Sequence, residues 1–249
     1  MTQRFKLIIE YDGAPFCGWQ SQAEKCGVQD ALSKAVKGFC GEEVTVYGAG
    51  RTDTGVHACG QVAHLDIEKE TTAATLKKAL NYHLKPLPVA ILDAQEVAAD
   101  FDARFSALKR HYLYRFIDRP APLTLEKGRA WWVPVALNHT HMHEAAQVFL
   151  GQHDFTTFRS VHCQSASPVK TIDEISVTRR GAVIELKVSA RSFLHHQIRS
   201  FAGTLKMVGE GRWSLQDVVD ALSACDRHAC APVAPPEGLY FMQVDYAAK

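Results

Sequence analysis

The sequence predicts an α+β protein built from two similar halves, and three observations carry that expectation. Strand and helix patterns alternate along the whole chain, most strand segments alternate apolar and polar residues, and an order β-α-β-β-α-β is legible over the first hundred residues. The remainder repeats that order less tidily. Such halves are ferredoxin-like, with largely antiparallel sheets, a topology also used by RNA-recognition modules. Pattern and charge both change near residue 105, so the expected domains are residues 1–105 and 106–249.

The elements follow in order. Arg4–Tyr11 places Phe5, Leu7, Ile9 and Tyr11 on one face at period two and stops at Asp12-Gly13, which reads as a strand. Val28, Leu32, Ala35, Val36 and Phe39 have helical spacing. Val44–Tyr47 reads as a strand, Gly48–Gly55 as a loop and Gln61–Ile67 as the returning strand. A helix near Thr72–Leu80 and a strand within Val89–Val97 complete the first half.

In the second half His111–Ile117 reads as a strand and Asn138–Leu150 as a helix, with Met142, Ala145, Ala146 and Phe149 on one face. Ile172–Arg179 and Val183–Val188 read as strands around the turn at Arg180-Gly181. His195–Val208 reads as a helix with Ile198, Phe201, Ala202 and Leu205 as its buried stripe. Ser214 followed three residues later by Asp217 resembles a capping box and opens another helix. Leu239–Tyr246 closes the chain as a strand, and Pro120, Pro122 and the prolines from 232 to 236 punctuate loops.

Composition narrows the class. With 47% hydrophobic and 22% charged residues over 249 positions, the chain is globular in composition and large enough to fold around its own core. No apolar run approaches the ~20 residues of a membrane helix, and the charged start MTQRFKLIIEYDG does not read as a secretory segment. Seven cysteines without CxxC pairing suit reduced thiols, hence a cytoplasmic location. Net charge is only +1, but residues 1–100 carry 10 basic against 13 acidic side chains, and residues 101–249 carry 18 against 14. Around Arg104–Arg129 the basic residues interleave with Tyr112, Tyr114 and Phe116. That pattern suits phosphate contact and base stacking, and equally a half-buried strand with a solvated face.

The most unusual segment is Gly48–Ala58, where a glycine-punctuated loop presents Arg51 and Asp53 two residues apart. Glycines at 50 and 55 permit backbone geometry that would hold Asp53 at a fixed point. The other reading is a loop in which Arg51 and Asp53 satisfy each other. A dinucleotide-binding loop fits poorly, because no helix follows directly. His195-His196 lacks ligand spacing, as adjacent helical side chains diverge by ~100°, and no metal site is expected. Serine and cysteine nucleophile signatures and a P-loop are also missing, which leaves an aspartate with arginine support as the chemistry most compatible with this loop.

Seven collinear segments together resemble the TruA family of tRNA pseudouridine synthases. They are EYDG and F-x-G-W-Q within Glu10–Gln20, the GRTD-x-GVHA loop of Gly50–Ala58, and ARFSA at Ala103–Ala107. The strand with Tyr112, DFTTF at Asp154–Phe158, A-x-x-F-L-x-H-x-[IV]-R at Ala190–Arg199 and EGLY at Glu237–Tyr240 extend the likeness over almost the whole chain. The resemblance implies isomerisation of uridine to pseudouridine at positions 38, 39 and 40 of the tRNA anticodon stem-loop. It implies two domains meeting at a central RNA-binding cleft, a homodimer, and neither metal nor other cofactor. Asp53 matches the catalytic aspartate and nucleophile, and Arg199 the arginine that pairs with it. Tyr112 matches the active-site tyrosine, and Arg51 an arginine that would occupy the stack left by the target nucleotide, or hold a phosphate, while the uridine is flipped out. Phe193 and Leu194 would wall the uracil pocket, or serve as ordinary core residues. Gln197 departs from the family pattern, which more often has an apolar residue there.

Two other functions compete. A non-catalytic RNA-binding protein would not need Asp53, which would repel phosphates. A nucleoside hydrolase would usually need a second catalytic carboxylate, and no other acid is presented by a comparable loop.

Overall fold

Period-two patterning becomes structure first at the N-terminus: Phe5, Leu7, Ile9 and Tyr11 are all buried on one face of strand β1 (Gln3–Tyr11). The computed structural model describes residues 2–247, which divide into two units. One runs to Leu108 and takes in the segment from Tyr240 on; the other is Lys109–Leu239.

In the first unit β1 is followed by α1 (Val28–Cys40), β2 (Tyr47–Gly48), β3 (His57–Ile67), α2 (Ala73–His83) and β4 (Val89–Val97). β1 lies between β3 and β4 and is antiparallel to both. α1 buries Val28, Leu32, Ala35 and Val36, and α2 buries Leu76 and Leu80. This is the expected β-α-β-β-α-β order. The strand expected at Val44–Tyr47 shrinks to Tyr47–Gly48, paired with His64 and Ala63 of β3. The residues before it spend their hydrogen bonds on side chains instead. Gln29 Nε2 donates to the Val46 carbonyl at 2.8 Å, and the Glu42 carboxylate accepts from the N–H groups of Glu68 and Lys69.

The second unit contains most of β5 (Ala107–Asp118), then β6 (Trp131–Val133), α3 (His139–Ala146), β7 (Gly151–Asp154), β8 (Val169–Arg180), β9 (Val183–Ala190), α4 (Gln197–Gly209) and α5 (Leu215–Ser223). β5, β9, β8 and β7 are successive antiparallel neighbours, and the short β6 runs parallel to β5. β8 and β9 form the hairpin expected around Arg180-Gly181. Ser214 caps α5 through the expected box with Asp217. The helix expected over Asn138–Leu150 ends at Ala146 and tightens into a 3₁₀ turn over Gln147–Phe149. Phe149, Phe155, Phe158 and Phe201 form an aromatic core, with Phe149 stacked on Phe201 at 4.1 Å between centroids.

Two expectations need correction. The final strand β10 (Leu239–Tyr246) was placed with residues 106–249, yet from Tyr240 it belongs to the first unit, where Tyr240 and Phe241 run parallel to His57 and Ala58 of β3. Strand alternation reveals a strand but not its neighbour. The cysteines are not all reduced thiols either: Cys17 and Cys26 form a disulfide, with Cα atoms 5.4 Å apart. The turn between them brings two non-CxxC positions together, with the Cys17 N–H donating to the Cys26 carbonyl at 3.1 Å. Among the described residues no helix is long and apolar enough to cross a membrane.

Candidate active site

The loop from Ala49 to Val56 leaves β2 and enters β3, and its backbone is fixed at successive points. Ala49 N donates to the Val62 carbonyl (2.7 Å), and Gln61 Nε2 donates to the Gly50 carbonyl (2.9 Å). Trp19 N donates to the Thr52 carbonyl (3.0 Å), and Val56 N closes a turn on the Asp53 carbonyl (3.1 Å). Along Arg51, Thr52 and Asp53 the side chains are exposed, buried and half-buried. Thr52 turns inward, where its Oγ1 lies 2.8 Å from the buried Tyr11 hydroxyl.

Two glycines explain why the N-terminal motif segments belong to this loop. Gly18 has φ +97°, and a Cβ there would sit 2.5 Å from the Thr52 carbonyl oxygen and 3.1 Å from the Asp53 carbonyl carbon. A Cβ at Gly13 would sit 2.0 Å from the Val56 carbonyl oxygen, so only glycine lets these chains touch. Gly13 N also donates to Nδ1 of the buried His57 at 3.1 Å. The EYDG and F-x-G-W-Q segments are thus walls of the Asp53 loop. The Cys17–Cys26 bond closes the second wall, which is further tied by Val28 N and Gln29 N to the carbonyls of Gly18 and Trp19.

In the second unit Tyr112 lies on β5 opposite Val188 of β9 and is half-buried. Its ring meets Phe193 edge to face, 5.2 Å between centroids at 84°. Phe193 follows the end of β9 and Leu194 is buried behind it. The helix expected from His195 starts at Gln197, because His196 adopts a left-handed conformation (φ +66°) that interrupts it. Gln197, the departure from the family pattern, is fully buried, and its Oε1 accepts from the Leu194 N–H at 2.8 Å. Its own N–H returns to the Leu194 carbonyl, so this glutamine closes the turn that carries Phe193 and Leu194.

Arg199, in the first turn of α4, donates from Nε to the Ala234 carbonyl at 2.8 Å, while Ala234 N donates back to the Arg199 carbonyl. Nearby, Tyr114 is buried and its hydroxyl donates to the Pro235 carbonyl at 2.8 Å. Burial pushes its pKa well above the ordinary tyrosine value, the Glu237 carboxylate adds to the rise, and the Arg199 charge opposes it. Tyr114 therefore holds its proton, while Tyr112, two positions away on the same strand face, is the more accessible ring.

Arg51 and Asp53 thus share one loop of the first unit, and Tyr112, Phe193, Leu194 and Arg199 belong to the second. Three buried polar residues beneath the loop, Tyr11, Thr52 and Gln61, carry little functional signal in the sequence. Their one legible signal is Gln61, a lone amide inside the apolar run of β3 that is fully buried in the structure.

A family model described as tRNA pseudouridine synthase matches residues 7–106 and 145–247, and the chain belongs to that family. The matched segments take in Arg51, Asp53, Phe193, Leu194 and Arg199, while Tyr112 falls in the interval between them. The chain is 60% identical over 243 residues to tRNA pseudouridine synthase A of Parvibaculum lavamentivorans, covering 98% of this chain and 99% of that one. It is 60% identical over 245 residues to the protein of the same name from Sinorhizobium fredii, with 98% and 99% covered. Against that of Rhodopseudomonas palustris it is 57% identical over 243 residues, again with 98% and 99% covered.

Proposed function

We propose that this tRNA pseudouridine synthase acts on uridines 38, 39 and 40 of the anticodon stem-loop, with Asp53 as its catalytic nucleophile. The reaction is an isomerisation. The N1–C1′ bond breaks, the uracil turns, C5 bonds to C1′, the C5 proton leaves and N1 gains a proton. Positive charge develops at C1′ as the glycosidic bond breaks, and an ionised carboxylate stabilises that charge or bonds to the substrate. The observation that carries the assignment is the Asp53 loop itself, whose backbone is hydrogen-bonded at Ala49, Gly50, Thr52 and Asp53. A carboxylate on so fixed a loop is held in place before substrate arrives.

Arg51, Tyr112, Phe193, Leu194 and Arg199 are assigned to substrate binding. Arg51 fills the stack that the flipped-out nucleotide leaves or holds a phosphate, which helps to offset the few kcal/mol of flipping. The Tyr112 ring, already edge-on to Phe193, offers a face for stacking on the detached uracil. The location is cytoplasmic and the working form a homodimer. The Cys17–Cys26 bond is unusual for a compartment that keeps thiols reduced.

The test is to incubate an unmodified tRNA transcript with the enzyme and map pseudouridine by carbodiimide adduct formation and primer extension. New stops one nucleotide 3′ of positions 38–40 that disappear with Asp53→Ala support the reading. Modification at other positions only, or full activity of Asp53→Ala, overturns it.

A further inference from the structure

Tyr11, Thr52 and Gln61 form a buried polar network beneath the Asp53 loop that no step of the proposed chemistry uses. The Tyr11 hydroxyl lies 2.8 Å from Thr52 Oγ1, and both residues are buried. Gln61 is fully buried; its Nε2 donates to the Gly50 carbonyl at 2.9 Å, and its Oε1 accepts from Val62 N at 3.2 Å. Tyr11 is held on β1, and Gln61 stands opposite Ile9 on β3, so both supports come from paired strands, at the point where the β1–β3 register shifts between Ile9 and Tyr11.

The geometry gives the network a purpose. Over Arg51, Thr52 and Asp53 the buried threonine stands between an exposed arginine and a half-buried aspartate. Holding Thr52 inward leaves its two neighbours, Arg51 and Asp53, on the more exposed side of the loop. Gln61 fixes the loop at Gly50, two residues before the anchor, and Trp19 N fixes the Thr52 carbonyl beside it. We propose that Tyr11 and Thr52, braced by Gln61, are positioning residues that set the orientation of Asp53 and Arg51 toward the substrate uridine.

A hydroxyl serves this purpose only while it stays un-ionised and aimed. Burial pushes the Tyr11 hydroxyl up to about 12, with hydrogen bonds from Thr52 and Gln61 pulling partly the other way, so it keeps its proton at neutral pH. Phenylalanine would fill the same space without the bond, and valine would replace Thr52 with nearly the same shape. Misplacement of a reacting group by about 1 Å costs on the order of 10²-fold in rate.

This inference rests on Asp53 being the catalytic carboxylate, and the experiment separates the two ideas. Tyr11→Phe, Thr52→Val, Thr52→Ser, the Tyr11→Phe/Thr52→Val double variant and Asp53→Asn are compared by single-turnover pseudouridine formation, tRNA binding and thermal melting. Tyr11→Phe and Thr52→Val are each expected to slow the chemical step by about 10- to 100-fold while the Kd for tRNA stays within about twofold. Thr52→Ser, which keeps the hydroxyl, restores most of the rate. The double variant is no slower than the worse single one, because both remove the same contact. If Tyr11→Phe and Thr52→Val turn over at the wild-type rate while Asp53→Asn is dead, the positioning role is wrong and the catalytic assignment stands. If Asp53→Asn is active, the catalytic assignment falls first. If the rate losses simply track lowered melting temperature and Thr52→Ser does not restore the rate, the network is only structural.

Discussion

The Asp53 loop and the Phe193–Arg199 segment both present residues assigned to the uridine, yet they are held in opposite ways. Around the loop the buried polar groups are paired: Tyr11 with Thr52, Gln61 with Gly50 and Val62, and the tight approaches are made at glycines 13 and 18. Around the second segment a non-glycine residue, His196, takes a left-handed backbone, and Ser189 Oγ, Gln197 Nε2, Ser200 Oγ and Thr204 Oγ1 are buried with no hydrogen-bond partner among the described residues. The first region keeps its geometry through satisfied bonds. The second carries unmet polar groups and a strained residue beside the segment that would wall the uracil, which is where stability is commonly given up for function.

The largest expected contrast in stability is between the two left-handed positions. Gly18→Ala puts a Cβ 2.5 Å from the Thr52 carbonyl at a φ that alanine disfavours, and should cost about 2–4 kcal/mol by denaturant unfolding. His196→Gly should stay within about 0.5 kcal/mol of wild type, since relief of backbone strain is offset by greater chain entropy. Equal losses at both positions would break the comparison.

Next comes a carboxylate elsewhere in the second unit that is paired. Asp118 has a buried side chain whose Oδ2 lies 2.5 Å from Arg179, and its Oδ2 also accepts from Leu137 N at 2.8 Å. Burial alone would raise its pKa, but the Arg179 bond and the Leu137 N–H together outweigh burial and the net direction is down. A lowered folded pKa means stability present above the unfolded value near ~3.9 and lost as pH falls through the folded one. Asp118→Asn should therefore cost about 2 kcal/mol at pH 7, with the gap closing below about pH 4. Asp66, lowered by its Arg4 bond in the first unit, has the same sign, but its pair is more exposed and should contribute under about 1 kcal/mol.

Smaller still is the effect of removing unmet hydroxyls. Ser200→Ala and Thr204→Val discard buried groups that have no partner, so stability should be unchanged or rise by up to about 1 kcal/mol. A loss above that size would show that these hydroxyls are satisfied in solution, and the contrast with the Asp53 loop would disappear. A thiol count in denaturant without reductant sharpens the account of the first region: five reactive thiols per chain with the Cys17–Cys26 bond intact, against seven without it.

The sequence made local order legible and long-range pairing not. Alternation in Arg4–Tyr11 and the box at Ser214 correspond directly to β1 and to the start of α5. The Val44–Tyr47 strand failed because its backbone partners are side chains such as Gln29, which no alternation encodes. The pairing of β10 with β3 joins positions more than 180 residues apart, and a strand pattern carries no address for its neighbour. At the site, Gly-Arg-Thr-Asp was conspicuous as a loop, whereas the reason for its threonine depended on Tyr11 from another strand. Gln197 looked like a mere departure until its bond to Leu194 N gave it a place.

The most direct test of the central claim is single-turnover release of tritium from tRNA carrying C5-tritiated uridine, by wild-type enzyme and by Asp53→Asn. Forming the C5–C1′ bond expels the C5 hydrogen, so release reports isomerisation itself. The account predicts release by wild type and at least ~10³-fold slower release by Asp53→Asn, with tRNA binding preserved. Release by Asp53→Asn within tenfold of wild type would contradict it, and the carboxylate would have to be sought elsewhere.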